Sequence, residues 1–398
     1  MAVTGPWRRT AAGAGLVNAS GAIAATIFAE MSALAQRTGA INLGQGFPDE
    51  DGPGAVLDEA VAAIRRGDNQ YPPGLGTPDL RLAVAEHQAR FYGLSPDPDR
   101  EVLITAGATE ALAATLLALV EPGDEVLTFE PFYDAYGGLI GLTGGRHRTV
   151  GLRAPDFQPD HDELRAAVSD RTRVILINNP HNPTGAVFDR ATLELVVELA
   201  EHHDAVIVTD EVYEHLVFGV QHIPVATIPG AAARTVTISS GGKTFNTTGW
   251  KVGWLTAPPE LVTAITTVKQ FLTYVNAAPF QPAMAVGLRL PDAYFRGVAD
   301  GLAAKRDLLQ AGLDRAGFAT FRPNGTYFIV ADAAAIGHRD AAAFCRELPE
   351  LAGVVAVPLT AFCHDAGNPA YASLVRFAFC KRTEVLERAA EQLSVLGS

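Results

Sequence analysis

From residue 101 onward, short and largely apolar runs alternate with longer stretches that carry apolar residues at helical spacing. The runs 101–105, 125–129, 173–178, 205–209 and 235–238 are rich in Val, Ile and Leu and show little apolar–polar alternation. That is the pattern of strands covered on both faces. The stretches 111–120, 160–169 and 189–202 between them read as helices. The alternation predicts an α/β fold: a mostly parallel central sheet flanked by helices. Helices are expected upstream at 27–36 and 54–65, and downstream at 260–275, 279–290 and 292–316. After Gly317 the pattern changes to short strands (327–330, 354–357, 374–379) with helices at 340–347 and 383–395, which reads as a smaller α+β domain.

A length of 398 residues exceeds what one core usually serves, and 48% hydrophobic content supports a large buried interior. The expected division is a flexible N-terminal arm (1–22), a large α/β domain (47–290) and a small domain made of 23–46 and 291–398. A net charge of −13 argues against nucleic-acid and anionic-membrane partners. No apolar run is long enough to suggest a membrane span. Arg8-Arg9 and the small-residue stretch ending in Ala22-Ile23-Ala24 resemble an export signal superficially. Asn18, Ser20 and the Gly/Ala-rich rather than Leu-rich makeup speak against it, so a cytoplasmic location is expected. Three cysteines fit a reducing compartment. Neither they nor the ten histidines show metal-ligand spacing, so no metal is expected.

In a sheet of this kind, ligands bind outside the carboxyl ends of the strands. Four unusual loops fall there: 105–109, 178–185, 209–213 and 239–243. The last contains Lys243, in a glycine turn after an apolar run. The chain has five lysines against 26 arginines, and two of the five, Lys243 and Lys251, lie in this segment. Lysine alone of the two can lose its proton and attack a carbonyl. Gly242-Lys243-Thr244 imitates the end of a phosphate-binding P-loop, but Thr237 stands where that motif needs glycine. Gly107-Ala108-Thr109 opens a helix after a strand, a natural anion site. Asp210 ends an apolar strand and needs a cation to remain ionised. The proline-braced loop 178–185 suits presentation of Asn182, and Phe132 could lie flat on a planar ring. Each of these alone fits a turn or a packing role. Together they describe a pocket for a phosphorylated, cationic heterocycle bearing an aldehyde, pyridoxal 5'-phosphate.

These segments, with Asn42-Leu43-Gly44-Gln45-Gly46-Phe47-Pro48-Asp49, Glu130-Pro131-Phe132-Tyr133-Asp134, Asp210-Glu211-Val212-Tyr213 and Val375-Arg376-Phe377, give the chain its resemblance to the class I/II aminotransferases of pyridoxal-phosphate fold type I. It looks closest to the branch of kynurenine/glutamine aminotransferases and cysteine-S-conjugate β-lyases, and to actinobacterial N-succinyldiaminopimelate aminotransferases. The resemblance implies that Lys243 bonds the cofactor aldehyde and carries the substrate α-proton. It implies that Asp210 pairs with the pyridine nitrogen, that Asn182 and Tyr213 bond the ring oxygen, and that Phe132 stacks on the ring. Gly107, Ala108, Thr109, Ser240 and Lys251 would hold the phosphate, with Tyr71 entering from the partner of a homodimer. Arg376, with Gly46 and Asn182, would grip the substrate carboxylate. The family often has arginine where Lys251 stands, and the tryptophan this branch often carries near its substrate gate is not found around Ile27-Phe28. The implied reaction is amino transfer between an L-amino acid such as glutamate and a 2-oxo acid, with N-succinyl-2-amino-6-oxopimelate as one acceptor. Transamination of kynurenine, glutamine or methionine, or β-elimination, are the alternatives. A regulator of the same fold would need a DNA-binding domain for which the N-terminal arm leaves no room, and a silent homologue would not keep Lys243, Asp210 and Arg376.

Overall fold

The structure is a computed structural model that describes residues 5–18 and 20–397. After strand β1 (Ile41–Asn42) come seven strands of one sheet: β2 (Val102–Thr105), β3 (Glu125–Glu130), β4 (Arg146–Gly151), β5 (Thr172–Asn178), β6 (Val206–Asp210), β7 (Thr235–Ser240) and β8 (Gly253–Thr256). Their spatial order is β2-β8-β7-β6-β5-β3-β4. All neighbours are parallel except β8, which runs antiparallel to both β2 and β7. Helices such as Gly107–Leu119 and Arg190–His202 supply the crossovers that parallel pairing requires. The link from β7 to β8 contains only the short helix Gly241–Thr244 and the 3-10 turn Thr248–Trp250, so the chain doubles back.

The register decides what the sheet presents at its carboxyl edge. Asn178 sits beside Asp210, and Asp210 beside Ile238, two residues before Ser240. Strands β5 and β7 are buried at nearly every position, β5 through its apolar run Val174–Ile177 and β7 although Thr and Ser alternate with or follow its Val236 and Ile238. The remaining strands, β9 (Ala319–Phe321), β10 (Phe328–Asp332), β11 (Val354–Val355), β12 (Val357–Pro358) and β13 (Leu374–Ala378), belong to the smaller unit. There β12-β13-β10-β9 form an antiparallel sheet, while β11 pairs in parallel with β1. The single strand expected at 354–357 is therefore two, serving two sheets.

Some elements carry too little pattern to be expected. Strand β4 reads Arg-His-Arg-Thr-Val-Gly because it lies at the sheet edge and is only partly covered. The helix Ala135–Thr143 contains Gly137, Gly138 and Gly141, poor helix formers. It forms because the helix Trp7–Gly13, within the stretch expected to be a flexible arm, packs on it. Gly13 and Gly137 approach so closely that a Cβ on either would lie 2.1 Å from the other's carbonyl oxygen. The helix expected at 260–275 ends at Lys269. The Lys269 ammonium is buried, donates to the Tyr274 carbonyl at 2.8 Å and lies 3.9 Å from Glu110, pinning the loop that follows. Among the described residues no helix is long and apolar enough to cross a membrane.

Candidate active site

A cavity of about 320 Å³ opens at the carboxyl ends of β5, β6 and β7, between the large sheet and the smaller unit. Every residue singled out from the sequence lines it except Phe132 and Tyr71.

Lys243 stands in the short helix after β7 and is half-buried at the cavity wall. Its Nζ donates to the Tyr327 hydroxyl at 3.0 Å, and that hydroxyl donates in turn to the Gly46 carbonyl at 2.6 Å. Burial lowers the Lys243 pKa, aided by the cationic Lys251 and Arg376 and opposed by Cys380 and Asp210. The neutral amine is therefore more accessible here than in water.

Asp210 occupies the last position of β6. Its Oδ2 accepts from the Tyr136 hydroxyl at 2.7 Å, and its backbone carbonyl accepts from the Asn178 side-chain amide at 2.9 Å. Among the described residues no cation pairs with it. Burial pushes its pKa up to about 6, against which the Tyr136 hydrogen bond and the attraction of Lys243 prevail only in part.

The anion cradle is built on the helix Gly107–Leu119. Gly107 has φ +72°, the left-handed region that favours glycine. A Cβ there would come within 3.3 Å of the Lys251 side chain. Glu110 accepts the Ala106 N–H at 2.6 Å, and the N–H groups of the first helical turn have no intrahelical partner. Lys251 Nζ reaches Thr109 Oγ1 at 3.4 Å, and Ser240 closes the other side. Gly253 is needed for the same cradle, since a Cβ on it would strike the Gly107 backbone at 2.6 Å.

Arg376, from β13, enters from the opposite wall. Its guanidinium lies 4.0 Å from the centre of the Phe328 ring and 4.5 Å from that of Phe362. One terminal nitrogen donates to Asn182 Oδ1 and the other to the Gly44 carbonyl, both at 2.9 Å, and buried Nε has no partner. Burial lowers its pKa to about 10, so it stays cationic. Since Arg376 can only donate, Asn182 must turn Oδ1 toward it, which leaves the Asn182 amide N–H groups to donate elsewhere. Gly46 admits no side chain, because a Cβ would lie 2.5 Å from Phe328 Cζ.

The expectation for Phe132 is corrected. Its ring is buried away from the cavity, against His147 at 4.7 Å and His364 at 5.0 Å between centroids. The adjacent Tyr133 lines the cavity instead. Two aromatic residues in succession point to different sides, and their order in the sequence does not say which faces in. Tyr71 is 83% exposed, packs edge-on against Tyr274 at 5.6 Å and does not line its own chain's cavity. Sequence reasoning missed Tyr136, Tyr327 and the aromatic wall of Phe28, Phe328 and Phe362, which only the tertiary fold brings to the site.

Comparison with known proteins decides the family. A family model described as aminotransferase class I and II matches residues 38–393. The chain belongs to the class I and II aminotransferases. It is 51% identical to a probable N-succinyldiaminopimelate aminotransferase of Mycobacterium tuberculosis, over 94% of this chain and 96% of that one. A solved structure of the M. tuberculosis N-succinyldiaminopimelate aminotransferase superimposes with a TM-score of 0.93 at 49% identity, covering 99% of this chain and 100% of that one. A methionine aminotransferase of Escherichia coli is 41% identical over 93% of this chain and 96% of its own. Kynurenine–oxoglutarate transaminase 3 of mouse is 35% identical over 92% and 86%. The aminotransferase is thus a pyridoxal-phosphate-dependent transaminase of fold type I. The residues present fit that cofactor: helix-terminal N–H groups with a lysine for its phosphate, and a buried carboxylate lacking a cation for its pyridinium.

The pKa of Asp210 carries a prediction for the cofactor-free protein. A carboxyl raised from an ordinary value near 3.8 to about 6 in the folded state favours the fold below the lower value, and that advantage is lost as pH rises through 6. Asp210→Asn, which removes the charge, is expected to stabilise the cofactor-free protein at pH 8 by ~1–3 kcal/mol. It should do so little or not at all at pH 4. Thermal unfolding at the two pH values checks this; equal effects at both would mean Asp210 is not strained by burial.

Proposed function

We propose that this aminotransferase moves the amino group of glutamate or a similar L-amino acid to a 2-oxo acid, with N-succinyl-2-amino-6-oxopimelate of lysine biosynthesis as acceptor, and that it works as a cytoplasmic homodimer with shared sites. The observation that carries the reading is Arg376. A buried guanidinium with an unpartnered Nε, clamped between two phenylalanine rings, is built to receive the carboxylate common to amino and oxo acids. The specific acceptor is taken from the resemblance to the N-succinyldiaminopimelate enzymes.

In this reading Lys243 is the attachment point of the cofactor, and its freed Nζ removes the substrate α-proton and later returns it. When bound, the cofactor supplies the electron sink for the charge left by that proton. Asp210, kept rigid by Tyr136 and Asn178, would meet the pyridinium and be ionised by it. The Asn182 amide N–H and the Tyr213 hydroxyl would donate to the ring oxygen, and Tyr133, in place of Phe132, would cover one face. Gly107, Ala108, Thr109, Ser240 and Lys251 would hold the phosphate. Arg376 orients the substrate so that its α-hydrogen points at Lys243. Tyr327 would hold the Lys243 amine whenever it is released from the cofactor, its own proton committed to Gly46.

A second reading, favoured by the aromatic lining of Phe28, Phe328 and Phe362, is preference for apolar or thioether side chains such as methionine, or for kynurenine or glutamine, with β-elimination from suitable substrates. A matrix of amino donors against oxo-acid acceptors separates the two. The first reading expects the glutamate and N-succinyl-2-amino-6-oxopimelate pair to give the highest kcat/KM. A tenfold higher value for methionine or kynurenine would replace it with the second.

The shared-site arrangement has its own test. Tyr71 is expected to reach the partner's phosphate. Mixing Lys243→Ala chains, which should be inactive, with Tyr71→Phe chains, which should hold cofactor about tenfold more weakly or worse, should restore roughly one native site per mixed dimer. Mixed dimers with no recovered site would assign Tyr71 to its own subunit.

A further inference from the structure

The aminotransferase contains a second cluster of titratable groups that its reaction does not use. Behind the sheet, between the helix Pro78–Tyr92 and the loop after β6, the ligand atoms of His87, His215 and Glu214 lie within 4.8 Å of one another. We propose that these three side chains form a binding site for one divalent transition-metal ion of the zinc type.

His87 and Glu214 are buried and His215 half-buried. The two imidazole Nε2 atoms face each other at 2.7 Å, with the rings nearly perpendicular. Glu214 accepts from the Ser239 hydroxyl through Oε1 at 2.6 Å, and the Tyr92 hydroxyl also faces its carboxylate. His87 Nδ1 is buried and unpartnered. Two imidazoles with one carboxylate, gathered within 4.8 Å in a largely buried cluster, are a ligand set that suits zinc.

The spacing fits with a small adjustment. Without an ion the two nitrogens share one proton and so sit close. Bonds of ~2.0–2.1 Å in a tetrahedral site hold ligand atoms about 3.3 Å apart. His215, the half-buried member, would turn to open the pair of imidazoles, and the carboxylate would close in from within 4.8 Å. The rings of Phe91 and Phe295 wall the cluster, the latter 4.4 Å from His215. Arg90 is the opposing charge nearby, and it is compensated by an ion pair with Asp292. A second layer stands behind, where His222 Nε2 lies 2.8 Å from Glu211 Oε2.

The role of such an ion is structural. Glu214 follows Asp210 by four residues, and Ser239, bonded to Glu214, precedes Ser240. An ion there would fasten the helix Pro78–Tyr92 to both segments that carry the cofactor-site residues.

The test uses the cofactor-loaded enzyme after chelator treatment, titrated with Zn²⁺ by calorimetry and with Co²⁺ by visible absorption. One equivalent per chain, a tetrahedral cobalt spectrum and a thermal midpoint raised by several degrees are expected. His215→Gln and His87→Gln should each weaken binding at least tenfold and abolish the thermal shift, with cofactor absorbance and basal transamination unchanged. His215→Gln, at the half-buried position, keeps the test valid if His87→Gln fails to fold. Binding of undiminished affinity in His215→Gln would place the ion elsewhere, for instance at the cofactor or at His202-His203, and overturn the proposal. So would absence of a one-equivalent site in the native chain.

Discussion

The site is organised around a carboxylate that is buried, among the described residues, without a cation paired to it. Taking Asp210 out of water costs free energy that Tyr136 and the peptide N–H of Val212, 3.4 Å away, offset only in part. The surrounding structure holds it in place nonetheless. Its backbone carbonyl accepts from both the Asn178 side chain and the Asn179 N–H. Asn178 in turn receives the Asn182 N–H at 2.7 Å. The end of β6 and the proline-braced loop after β5 are thus one hydrogen-bonded unit, and the unsatisfied charge at its centre is what a pyridinium would complete.

The opposite wall is fixed by contacts between the two units. Arg376 bonds Asn182 of the large sheet and Gly44 of the entry loop, and Tyr327 links Lys243 to Gly46. Both bridges pass through the glycine-containing segment after β1, where the Phe328 ring leaves Gly46 no space for a side chain. The substrate-facing arginine and the reactive lysine are therefore positioned by the same short loop.

Much of this was legible in the sequence because it is local. Val/Ile/Leu runs mark β5 and β6, β-branched residues mark β7, and the polar residues at the end of each mark the cavity edge: Asn178, Asp210, Ser240. The scarcity of lysine singled out Lys243, and the glycine at 107 announced the cradle. What was not legible depends on long-range packing. Strand β4 is polar because it is an edge. The helix Ala135–Thr143 is glycine-rich because another helix presses on it. Phe132 and Tyr133 are chemically alike neighbours, and only the fold turns Tyr133 inward. His87 and His215 stand 128 positions apart, so no spacing rule joins them.

The central claim is that the cation missing beside Asp210 is supplied by the cofactor. Carbon-13 NMR of the aspartate carboxyl groups, assigned by comparison with Asp210→Asn, measures this directly. The account predicts that the Asp210 signal titrates near pH 6 in the cofactor-free enzyme. With pyridoxal phosphate bound, it predicts an ionised carboxylate that no longer titrates there. The same titration in both forms would contradict it.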